Sequence, residues 1–89
     1  MSPADEAKDG LVVVPPGLAT PLADKSTRCT WVTLWRVPCD LGVGGASLDT
    51  NQHLEAGTPA YTARIGDLAG LYVFHRESAA VQLRFTYGV

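Results

Sequence analysis

Eighty-nine residues at 9.4 kDa make a single domain, and a chain that short hides only about 60% of its unfolded surface on folding. That allows one thin core and excludes a deep substrate cavity, while nine glycines and six prolines exclude a helical bundle. A net charge of −2, with a pI near 5.5, excludes the basic footprint of a nucleic-acid-binding protein.

The chain opens on an acidic stretch, Met1–Glu6, without the basic and apolar regions of a secretory signal. No apolar run approaches the roughly 18–20 residues that cross a bilayer, the longest being Leu11 to Pro16. The expectation is a chain that directs itself neither into a membrane nor out of the cell. Residues 1–28 hold four of the six prolines and form no core of their own. Their one apolar cluster, Leu11, Val12, Val13 and Val14, is β-branched and stops at Pro15-Pro16. Three readings fit it: a first strand of the same domain, an extended arm that adds a strand to a neighbouring subunit, or disorder.

From Cys29 onward the apolar period is two rather than 3.6. Residues 29–37 (CTWVTLWRV) predict a strand that ends at Pro38. Residues 40–47 predict a second strand with a bulge near Gly44-Gly45, and Leu48 to Gln52 a polar connection. A turn at Gly57 precedes a short strand over 60–65. Residues 66–70 hold one helical turn at most. Residues 71–75 form another strand, and 79–87 the clearest alternation, with Val81, Leu83, Phe85 and Tyr87 facing one way. Short strands parted by Gly/Pro turns predict an all-β antiparallel sandwich or small barrel of about six to eight strands, with the extended arm over 1–28 and the sandwich over 29–89.

Two of these strands are apolar on both faces. Trp31, Thr33, Trp35 and Val37 alternate with Val32 and Leu34, and Leu71, Val73 and His75 alternate with Tyr72 and Phe74. A sheet with one solvated face alternates cleanly. Each Trp hides up to about 250 Å² when covered, and leaving two exposed forfeits several kcal/mol at about 25 cal/mol per Å². A second layer is therefore expected over Trp31, Trp35, Tyr72 and Phe74, supplied by the arm or by another copy. A compact monomer is the alternative.

Catalytic chemistry finds little support. Cys29 and Cys39 flank one extended run spanning about 33 Å, where a disulfide needs Cα atoms about 5.5 Å apart, so both are expected as buried thiols. His53 and His75 lack the spacing that presents two imidazoles to a metal, and no metal or cofactor is expected. Asp40, Asp49, Glu55 and Asp67 read as turn residues. Gly42 to Gly45 lacks the helix and lysine of a phosphate loop, and Arg64, Arg76 and Arg84 read as a solvated sheet face.

From about Ala19 onward the layout resembles small tailed-bacteriophage virion proteins of the head decoration, cement or head-fibre type. The motifs that carry the likeness are Ala19–Leu22 (ATPL), Cys29–Leu34 (CTWVTL), Leu41–Gly45 (LGVGG), Leu54–Gly57 (LEAG), Ile65–Val73 (IGDLAGLYV) and the closing strand Val81–Tyr87. Where that group carries an asparagine-rich connection, this chain has Val37-Pro38-Cys39-Asp40. The resemblance implies a non-enzymatic subunit of the virion, made in the host cytoplasm. Its partners are further copies of itself, often as a trimer, and the major capsid protein or another virion protein. Neither nucleic acid nor membrane is an expected partner. The expected contact residues are Leu11, Val12, Val13, Val14, Trp31, Trp35, Tyr72 and Phe74.

A second function class keeps the fold. Trp31, Trp35, Tyr61 and Tyr72 are residues that stack sugars, which suits a carbohydrate-binding module at a fibre base or tail tip. A third class, an inhibitor of a host enzyme that mimics DNA, lacks its charge rows at net −2.

Overall fold

The structure, a computed structural model, describes residues 7–45 and 52–89. Eight strands follow one another: β1 (Lys8–Val14), β2 (Thr20–Pro21), β3 (Trp31–Trp35), β4 (Leu41–Gly44), β5 (Gln52–Leu54), β6 (Ala60–Ala63), β7 (Tyr72–Phe74) and β8 (Val81–Gly88), with a 3-10 turn at Leu68–Gly70. The expected all-β sandwich is what forms.

Their pairing is nested. β1 pairs β8, β2 pairs β7, β3 pairs β6 and β4 pairs β5, all antiparallel. This is one long ribbon, doubled back between β4 and β5, and an isolated bridge from Arg28 to Asp67 continues it between the second and third pairs. Rolling the ribbon brings β3 against β8 and β4 against β7. Two four-stranded sheets result, ordered β1-β8-β3-β6 and β2-β7-β4-β5, which is the jelly-roll arrangement.

Alternation decides which side chains fill the space between the sheets. Leu83 and Phe85 of β8, Val32 and Leu34 of β3, Leu41 and Val43 of β4, and Val73 of β7 are buried in one cluster. Val14, at the end of β1, joins them with no exposed surface. Gly10 lies opposite Phe85 across the β1–β8 pair, and a Cβ there would overlap the Phe85 ring. Glycine at that position lets the ring lie flat against β1.

Loops are fastened by a few polar side chains. His75 is buried, and its Nδ1 accepts from the Glu77 N–H at 3.0 Å. The Nε2–H therefore donates to the Val14 carbonyl at 2.7 Å, which joins β1 to the end of β7. Asp67 caps the 3-10 turn by accepting from Ala69 N, and also gathers the Thr27 amide at 2.8 Å and the Ser26 hydroxyl at 2.7 Å. The Thr27 amide foremost, then Ser26 and Ala69, hold its carboxyl below the usual range.

Several boundaries differ from expectation. β1 is an edge strand of the sandwich itself, so the Pro-rich first segment contributes a strand to its own domain. β4 pairs β7 in unbroken register through Gly44, and the expected strand end at 46–47 and most of the connection over 48–52 lie outside the described residues. Gln52 belongs to β5, a strand not expected, as is the two-residue β2.

Candidate functional site

The outer face of the first sheet reads as rows of facing residues. Leu11, Arg84, Trp35 and Ala60 form one row across β1, β8, β3 and β6, and Asp9, Thr86, Thr33 and Thr62 form the next. Val13 faces Gln82 on one side of these rows, and Trp31 faces Gly88 on the other.

Hydrogen bonds fix this face. The Trp35 indole N–H donates to the Thr86 hydroxyl at 2.9 Å, which donates onward to the Asp9 carboxylate at 3.0 Å. The Thr33 and Thr62 hydroxyls pair at 2.8 Å. Trp31 lies over Gly88, where a Cβ would overlap the indole, and is thereby half-buried. Trp35 stays 43% exposed, Leu11 55% and Val13 53%.

A groove of about 780 Å³ runs along this face, lined among others by Asp9, Leu11, Trp35, Arg36, Gln82 and Arg84. Arg36, just past β3, has φ +47°, a left-handed conformation that costs a non-glycine residue about 1 kcal/mol or more. Backbone bonds from Arg36 N to Pro59 O and from Val37 N to Thr58 O hold it there, while Gly57, at φ +87°, returns its N–H to Val37 O.

The second sheet has its own outer face. Phe74 sits in a row with Gly42 and His53, Tyr72 in a row with Gly44 and Pro21, and the Arg76 guanidinium lies 5.1 Å from the Phe74 ring centroid. A smaller hollow of about 430 Å³ opens beside Phe74, Arg76 and His53.

These positions correct several expectations. Trp31 and Trp35 lie on one outer face and Tyr72 and Phe74 on the opposite one, so the four aromatics form no single surface. Val14 is fully buried and Val12 turns inward against the core, leaving Leu11 and Val13 as the exposed pair. Tyr61 packs against the core and is removed from any stacking platform. Arg84 and Arg76 belong to different faces. The residues that sequence reasoning missed are Arg36, Asp9 and Thr86.

Both cysteines are buried and free. Burial pushes each thiol's pKa up, with Asp67 adding to the effect at Cys29, and Glu77 and Asp40 at Cys39. Such thiols are poor nucleophiles at neutral pH. Among the described residues, no three His, Cys, Asp or Glu side chains converge on a metal position, and no helix is long and apolar enough to cross a membrane. Comparison with protein families, with curated proteins and with solved structures returned no match.

Proposed function

We propose that the chain is a non-catalytic bacteriophage structural protein that decorates or cements the capsid, joined to copies of itself and to the major capsid protein through the open edge of β1. The single observation that carries the contact is the character of that edge. β1 runs seven residues without proline, is uncharged from Gly10 to Val14, and leaves Leu11 and Val13 more than half exposed.

The other edges are protected in the ways natural sheets use. Among the described residues, β2 has two and includes Pro21, β5 has three, and β6 has four and begins after Pro59. Only β1 offers, among the described residues, a length of unpaired backbone on which another strand can align, with side chains beside it for the incoming strand to bury. The likeness to decoration and head-fibre proteins supplies the virion setting.

Immunogold electron microscopy of virions carrying the protein tests this reading. Label over the capsid exterior, lost when Leu11→Lys and Val13→Lys are combined, is the expected result. Particles without label, or label confined to the tail, overturn the capsid role.

A further inference from the structure

We propose that the groove on the outer face of the first sheet binds a carboxylate-bearing sugar, with Trp35 as its stacking platform and the guanidinium groups of Arg84 and Arg36 as its anion clamp. The indole's one polar atom is already committed to the sheet through Thr86. What the ring presents outward is apolar π surface, held in a fixed orientation and 43% exposed. That suits the C–H face of a pyranose, which needs an ordered flat partner more than a hydrogen bond.

The charges beside the ring select the ligand. Arg84 faces Trp35 directly across the β3–β8 pair, and Arg36 follows Trp35 in the chain. Among the described residues, both line the groove against a single carboxylate, Asp9, which already accepts from Thr86. On a chain of net charge −2, two arginines lining one groove are a local concentration of positive charge. A guanidinium fork matches a carboxylate with two parallel hydrogen bonds.

Arg36 adds an independent observation. Glycine would adopt φ +47° without strain, yet an arginine occupies the position and lines the groove. The strain is consistent with a side chain retained for what it reaches.

The remaining lining separates a sugar from other anions. Asp9 and the Gln82 amide offer acceptors for hydroxyl groups, which a pyranose carries and a DNA phosphodiester backbone does not. The volume of about 780 Å³ falls within the roughly 300–1,000 Å³ typical of small-ligand sites. Trp35 and Arg84 sit on β3 and β8, inside the sheet, while edge pairing uses β1, so the inference does not rest on the assembly role, although Leu11 belongs to both surfaces.

The test is a titration of the full chain, followed by amide and indole NMR shifts, with sialyllactose and with trigalacturonate, and with lactose as the neutral control. Saturable shifts at Trp35, Arg36, Gln82 and Arg84 with at least one acidic sugar, and weaker or absent binding of lactose, are expected. Arg84→Gln, on an exposed side chain, is expected to weaken binding by about tenfold or more, whereas Arg76→Gln on the opposite face leaves it unchanged. Failure of both acidic sugars to saturate, equal binding of lactose, or an unaltered affinity in Arg84→Gln overturns the proposal. Binding of a hexathymidylate at these residues in place of the sugars overturns it as well.

Discussion

The indole of Trp35 is tied to the hydroxyl of Thr86, a residue 51 positions further along the chain, at 2.9 Å. The bond crosses from β3 to β8 and continues to Asp9 on β1, so three strands are linked on their solvent side. Thr86→Val keeps the shape of the side chain and removes this relay. Its expected cost is about 1 kcal/mol in denaturant unfolding, with an indole N–H resonance shifted toward that of free tryptophan. An unchanged indole resonance contradicts the assigned bond.

His75 holds two backbone groups at once, the Val14 carbonyl and the Glu77 amide. His75→Leu fills similar space and leaves both without their partner. The buried Val14 carbonyl costs roughly 1–3 kcal/mol when left unsatisfied, whereas the exposed Glu77 amide turns to water, so a loss of about 1–3 kcal/mol is expected. Nitrogen-15 NMR of the wild-type ring is expected to show the Nε2–H tautomer, and the Nδ1–H form would refute this bonding scheme.

Gly10 and Gly88 both lie beneath an aromatic ring, but the rings differ in freedom. Phe85 is buried between the sheets, whereas Trp31 lies on the outer face. Gly10→Ala forces Phe85 into a filled core, for an expected loss of about 1–3 kcal/mol. Gly88→Ala displaces Trp31 toward solvent and is expected to cost less. Thermal unfolding of the pair reads the order, and a reversed order means the two rings have been assigned to the wrong faces.

Asp67 makes part of the stability depend on acid. Its carboxyl sits below the usual range through hydrogen bonds led by the Thr27 amide, so its contribution is complete above the unfolded value and is lost as pH falls through the folded one. Unfolding free energy should therefore decline as pH drops below about 4. Asp67→Asn, with no proton to take up there, should show a shallower decline, and equal slopes would contradict the capping role.

The parity of β3 and β8 was legible in the residues up to Trp35. There the left-handed Arg36 breaks the alternation and sends Val37, expected beside the tryptophans, into the core. The sheet to which each strand belongs was not legible. Val81, Leu83, Phe85 and Tyr87 alternate so plainly that β8 and its inward side follow from period alone. Trp31 and Trp35 were also readable as sharing a face opposite Val32 and Leu34. Period two says nothing about which sheet a strand joins, however, and rolling the ribbon sends β3 and β7 to different layers. Hence Tyr72 and Phe74 fall on the face opposite the tryptophans.

The missed strands offered little signal, β5 having Leu54 as its only apolar residue and β2 containing a proline. The groove is less legible still. Asp9 and Thr86 are 77 residues apart, and nothing local in the sequence brings them to Trp35. Arg36 reads as an ordinary strand-end residue until its left-handed backbone is seen.

Light-scattering mass of the purified protein at micromolar concentration tests the open edge of β1 most directly. The expected result is a mass that is a multiple of 9.4 kDa, falling to that of one chain when Leu11 and Val13 are both replaced by lysine. A wild-type protein that runs as a single folded chain, or a double variant that assembles equally well, would contradict it.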